Sequence, residues 1–353
     1  MYPNFNQQTI TVTTNEPTDL GLKWLIALHA ERPNRIGRDC TNIPANRLAL
    51  AGVKPTGFEY SIHYNQKISY QTLGDIINGI DQGCRQSHMQ LIKGTLIPDH
   101  PVSRNSPHFS LTGTVTGDPI EAQFDEWPIE PDDQIIGIPA HGPHASGIFS
   151  ALQLFTGQEA DTILPDQIDW TTLKEKLPHA RSRNYTLGHW LSRPTAPLAP
   201  VIQLLLLQKK RGPLIKAIHL VDNFKDSLSA IVPDGLSASI QYDWQYSASS
   251  NRKIQDITTY DYLADETHKK LKEVTLYASL PDKAFIYRLL ERQFNMGVGL
   301  LIVSSPENAK IILNIAQKLW RKPFSLGTIT AASSKDNKIN FVYPSSEHPS
   351  YFV

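Results

Sequence analysis

Cysteine is nearly missing from this chain: Cys40 and Cys84 are the two thiols in 353 residues. That is too few for a disulfide framework, and it predicts reduced thiols in a cytoplasmic protein. An excess of charge is missing as well. Thirty-four Lys and Arg balance thirty-four Asp and Glu, so there is no electrostatic footprint for nucleic acid or for an anionic membrane. Long apolar runs are also absent. The longest, Val201 to Leu207, falls far short of the roughly 20 residues that cross a bilayer. Met1 to Gln8 lack the basic-then-apolar order of a signal peptide. No internal repeat and no low-complexity tract is present. The remainder, 40% hydrophobic and 19% charged, reads as globular and long enough for two domains, each with its own core.

Strands and helices alternate along the chain. Thr9 to Thr13 reads as a strand, Gly21 to Ala30 as a helix, Arg47 to Leu50 as part of an apolar segment ending at Gly52, and Phe58 to Tyr64 as a strand. Leu73, Ile76, Ile77, Ile80 and Cys84 recur at the spacing of one helix face, which predicts an amphipathic helix over Tyr70 to Ser87 with Cys84 as a buried structural thiol. Met89 to Ile92 and Phe109 to Thr116 read as strands. The acidic, Pro-punctuated stretch Asp125 to Asp133 predicts a domain boundary. Beyond it come a strand at Ile135 to Ile138, helices at Ala145 to Phe155 and Leu198 to Lys210, and a Pro-Asp-Gly turn between Ile231 and Leu236. Gln158 to His189 and Gln245 to Thr275 read as insertions. Ser305 and Pro306 open a last helix with Ala309, Ile312, Leu313, Ala316 and Trp320 on its buried face. Several hairpins among these elements predict an α+β arrangement in each half.

The most specific stretch is Arg292-Gln293-Phe294-Asn295-Met296-Gly297-Val298-Gly299, running into Leu300-Leu301-Ile302-Val303 and then the Pro-started helix. Five more segments join it: Thr18-Asp19-Leu20-Gly21-Leu22-Lys23, Ile36-Gly37-Arg38-Asp39 with Ala45-Asn46-Arg47-Leu48, Leu91-Ile92-Lys93-Gly94-Thr95, His144-Ala145-Ser146-Gly147, and Pro194-Thr195-Ala196. Together they resemble phosphoribosylformylglycinamidine cyclo-ligase (aminoimidazole ribonucleotide synthetase), the ATP-dependent ring-closing family of purine synthesis, from about Thr9 to Ile329. The resemblance implies a two-domain α+β fold. An amino-terminal sheet domain over 1–128 would form a homodimer, and a carboxy-terminal α/β sandwich would fill 129–353. It places Gly21, Lys23, Asp39, Asn46 and Gly94 on the nucleotide side, and His144, Ser146, Gly147, His219 and Asn295 on the substrate side. ATP and magnesium would be the cofactors if the reaction is retained. No catalytic residue is assigned. No protein-held metal is expected either, because His141 and His144 lack a third and fourth ligand.

The departures from the family pattern fall on its chemistry. The family's acid after Asn46 is Arg47, a cation where magnesium wants hard anionic oxygens. A family glycine is Lys93, and an acid is Thr95. An arginine is Ala196, and a triple-glycine loop is Val221 to Asn223. Apart from the family, Lys23 reads as a solvated lysine at a helix start, Asp39 and Asn46 as turn-forming or helix-capping residues, and Asn295 to Gly299 as tight strand packing. Three functions remain in view. They are a diverged homologue with a binding or regulatory role, an ATP-dependent ligase or kinase of the same superfamily acting on a related amide or acid, and a working cyclo-ligase.

Overall fold

The structure is a computed structural model that describes residues 10–14, 18–99, 109–120, 127–140, 142–144, 147–156, 168–175, 186–208, 214–241, 283–319, 322–332 and 338–342. The chain divides into two compact units, one of 1–123 with 140–207 and one of 124–139 with 208–353. The first change of unit falls beside the Pro-punctuated stretch. Residues 140–207, which a cut at 128/129 assigns to the second half, group with the first.

The first unit carries strands β1 (Ile10–Thr14), β2 (Val53–Tyr64), β3 (Gln90–Pro98) and β4 (Phe109–Pro119). They form one sheet in the order β1-β4-β2-β3. β1 and β2 both run antiparallel to β4, while β3 runs parallel to β2. That parallel pair needs a crossover, supplied by helix α3 (Tyr70–Gln86). Ser69 caps α3 by accepting from the Thr72 amide, and Leu73, Ile76, Ile80 and Cys84 are buried as their spacing predicts. Helices α1 (Thr18–His29), α4 (Ile148–Thr156), α5 (Leu187–Leu191) and α6 (Ala199–Leu206) complete the unit together with α2 (Asn34–Leu50).

Helix α2 is the main difference from the sequence reading, which draws only an apolar segment at Arg47 to Leu50. Pro44 lies inside the helix, removes one backbone donor and masks the helical pattern. Burial outweighs that local cost. Ile36, Ile43, Leu48 and Ala49 join the core, and each large aliphatic side chain contributes about 1.5–3 kcal/mol. α2 crosses α3 at glycines. A Cβ on Gly37 would stand 2.1 Å from the Ile76 carbonyl oxygen, and one on Gly79 would stand 1.8 Å from the Asn34 carbonyl oxygen. Only a hydrogen at these positions lets the two backbones approach so closely.

The second unit holds β5 (Gln134–Pro139), β6 (Ala217–Leu220), β7 (Leu236–Gln241), β8 (Val298–Ser304), β9 (Phe324–Ala331) and β10 (Ile339–Val342). Their order is β10-β7-β9-β5-β8-β6, antiparallel except for the β10–β7 pair. Every residue of β8 is buried, as its unbroken apolar run requires of a central strand. Helices α7 (Phe224–Ile231), α8 (Lys283–Leu290) and α9 (Pro306–Lys318) belong to this unit. Ser305 caps α9, and Ala309, Ile312 and Ala316 form its buried face; Leu313 is half-buried, and Trp320 lies outside the described residues. Lys216 pairs with buried Asp133 at 2.9 Å and anchors the stretch before β5. Most of the two expected insertions also lies outside the described residues.

Candidate functional site

Within the first unit, α2 presents a polar stripe to the extended segment that leads into α6. Arg35, Asp39, Asn42 and Asn46 follow one another at helical spacing, so they share one face. Asp39 Oδ1 accepts from the Thr195 amide at 2.7 Å and from the Thr195 hydroxyl at 2.8 Å. Asn42 Nδ2 donates to the Thr195 carbonyl at 2.7 Å, and Asn46 Nδ2 donates to the Ala196 carbonyl at 2.8 Å. Asn46 Oδ1 accepts from the amides of Leu198 and Ala199 at 2.8 and 2.9 Å. Arg35 Nη1 donates to Ser192 Oγ and to the His189 carbonyl at the end of α5. All backbone polar groups of Thr195 and Ala196 are therefore held by side chains, because His144 Nε2 accepts the remaining Ala196 amide at 3.3 Å.

The bonds made by Asn46 have a local cause. α6 begins after Leu198, which has no capping side chain, and Pro200 follows in its first turn. The orphan amides of a helix start need an acceptor. Asn46 supplies it from a different helix. It thus does the capping work read from the sequence, but in trans. Asp39 lies inside α2 and neither forms a turn nor caps its own helix.

Lys23 is a correction to the sequence reading. It is 0% exposed and its Nζ stands 2.9 Å from Asp39 Oδ2. Burial pushes the ammonium pKa down, against the opposing pull of the Asp39 carboxylate. The retained Gly21 lies in the first turns of α1.

His144 is buried in a left-handed backbone conformation, with φ of 57°. Such a conformation is uncommon outside glycine and marks a constrained position. Gly147, with φ of 70°, precedes α4 and accepts from the Ala151 amide. Ser146 and His141 lie outside the described residues.

Magnesium does not fit this set of side chains. Asp39 has both oxygens engaged, Asn46 Oδ1 already accepts two amides, and the adjoining Arg47 is an exposed cation. A hard cation needs several free oxygen ligands. Among the described residues no three His, Cys, Asp or Glu side chains cluster as a metal site.

The other expected positions lie on other elements, several of them structurally employed. Gly94 on β3 pairs with Tyr60, whose ring would meet a Cβ there at 2.3 Å. Lys93 is exposed on the same strand. His219 and Asn295 belong to the second unit. His219 lies on β6, where burial lowers its pKa against the opposing charge of Asp222. Asn295 Oδ1 accepts from the Gly297 amide at 2.9 Å, and Met296 and Gly297 both take positive φ. That turn launches β8, so the best-preserved motif has a structural role in the strand entry. Where the resemblance places a triple-glycine loop, Asn223 caps α7 by accepting from the Asp226 amide. Among the groups the sequence reading did not place at the site, Asn42 and Thr195 matter most. With α2 helical, the spacing of 39, 42 and 46 places Asn42 on the same face.

No protein-family model matches the chain. It is 24% identical over 329 residues to phosphoribosylformylglycinamidine cyclo-ligase of Latilactobacillus sakei subsp. sakei (strain 23K), covering 92% of this chain and 82% of that protein. The chloroplastic/mitochondrial cyclo-ligase of Vigna unguiculata is 27% identical over 297 residues, covering 83% and 65%. Among solved structures, hydrogenase maturation protein HypE superposes with a TM-score of 0.56 at 10% identity, covering 97% of this chain and 87% of that one. HypE in complex with ATP gives 0.53 at 11%, with 97% and 83% covered. At such identities the superpositions establish the fold alone. Over most of its length the chain is thus similar in sequence to phosphoribosylformylglycinamidine cyclo-ligases, and its two-domain α+β fold is that of HypE.

Proposed function

We propose that the protein is a diverged cyclo-ligase homologue that does not close the imidazole ring of formylglycinamidine ribonucleotide and acts as a binding or regulatory protein. The observation that carries this reading is the commitment of Asp39 and Asn46 to the chain's own backbone. Phosphoryl transfer rests on positioning and on metal and donor charge around the γ-phosphate. Here the retained acid and amide are engaged internally, and the next residue, Arg47, has the wrong sign. Complementation tests the reading. The chain should not restore growth without purine to a strain lacking its own cyclo-ligase, and restored growth would overturn it.

The second reading is an ATP-dependent ligase or kinase of the same superfamily. It is favoured by the retained Lys23–Asp39 pair, at 2.9 Å. Calorimetry with MgATP separates the two, since an enzyme of this kind binds the nucleotide tightly.

The proposal includes a cytoplasmic homodimer built on the first sheet. β3 pairs with β2 alone among the described residues, and it exposes Ile92, Leu96 and Ile97. A long apolar edge strand invites pairing with another chain.

A further inference from the structure

We infer that segment 195–199 is the resident occupant of the polar face of α2, so that any external group using Asp39 or Asn46 must first displace it. This goes beyond the proposed function because it names what fills the face and how access to it is governed. The recognition runs through backbone: Asp39 and Asn42 take the amide and carbonyl of Thr195, and His144 and Asn46 take those of Ala196. Asn46 then takes the amides of Leu198 and Ala199. From the segment's side chains, the Thr195 hydroxyl adds a bond to Asp39, and Ala196, Leu198 and Ala199 are buried. Residue 196 is bound through its backbone, and its side chain is the buried methyl of Ala196.

The face is polar and buried: Asp39 and Asn42 are 0% exposed and Asn46 is 1% exposed. Asn42 Oδ1 has no hydrogen-bond partner among the described residues. Buried polar side chains of this kind are stable only while their partners are in place. Undocking the segment would free one Asp39 oxygen and the Asn46 carbonyl oxygen together, while Lys23 keeps the other Asp39 oxygen. The structure shows the docked segment with the face closed; release would open the face. An external cation or anion shifts that balance only by preferring the open face.

Residue-resolved hydrogen exchange on the full chain, with and without millimolar MgATP, tests this alongside calorimetry. In the wild type the amides of Thr195, Ala196, Leu198 and Ala199 should exchange slowly. Asn46→Ala should speed exchange at Leu198 and Ala199 by about tenfold or more while Thr195 stays protected. Should that variant not fold, Thr195→Val removes the hydroxyl bond alone and should speed exchange at the residue-195 amide. Unchanged exchange in a folded variant overturns the inference. With MgATP, either no binding with protection intact or binding with protection lost supports it. Binding with protection intact overturns it. Binding with displacement would count against the non-catalytic reading above and still support this one, so the two failures are distinguishable.

Discussion

Asn46 caps a helix to which it does not belong: its Oδ1 accepts the Leu198 amide at 2.8 Å, at the start of α6. The same side chain also binds the Ala199 amide and the Ala196 carbonyl. One amide thus joins two helices and an extended segment.

Asn46→Ala should destabilise the protein by about 3 kcal/mol, because it leaves two buried donors and one acceptor without partners. Urea denaturation measures the difference. A change below about 1 kcal/mol would mean that water replaces the lost bonds.

Lys23→Met should cost about 3–5 kcal/mol, since it strands a fully buried carboxylate oxygen. Combining it with Asp39→Asn should cost clearly less than the sum of the two single changes. A double-mutant cycle giving simple additivity would contradict the pairing.

Two glycines of the same helix should behave in opposite ways. Gly79→Ala puts a methyl 1.8 Å from the Asn34 carbonyl oxygen, whereas Gly74→Ala meets nothing within 4 Å. The first should destabilise by about 1–3 kcal/mol or more. The second should stabilise by about 0.5–1 kcal/mol through helix propensity. Thermal melts of the two variants decide.

Stability should fall at both ends of the pH range. Burial raises the Cys84 thiol from 9.0 to about 12, so between those values the folded state holds a proton the unfolded state has lost, and stability declines as pH rises. The folded protein should also resist thiol alkylation at neutral pH, because little thiolate exists. His219 shifts down from 6.5. Below that value the unfolded state binds the proton first, and stability declines as pH falls through the folded pKa. Denaturation midpoints measured across pH, with His219→Phe as a control, check both signs.

The protein should be a dimer at micromolar concentration by light scattering. Leu96→Lys, on the exposed edge strand where Leu96 is 43% accessible, should shift it toward monomer with little change in the monomer's spectrum. A monomeric wild type would remove the proposed interface.

Local pattern alone determined much of the fold. The apolar face of α3, the buried run of β8 and the Ser-Pro start of α9 all lie where their spacing places them, because a short periodic segment has few ways to bury its hydrophobic side. The Asn295-Met296-Gly297 turn was not legible, because the segment reads as tight strand packing and Met296 takes a positive φ that is uncommon outside glycine. The family resemblance was also in the sequence, carried by those same packing-constrained segments. What the sequence could not decide was the employment of its polar residues. Lys23 looks solvated in a linear reading and becomes fully buried through a partner sixteen positions away, on the next helix. Asp39, Asn42 and Asn46 are bound to atoms some 150 positions distant along the chain. Pro44 hid the helix that aligns them. A polar side chain's role depends on which donors and acceptors surround it, and only tertiary folding brings those groups within hydrogen-bond reach.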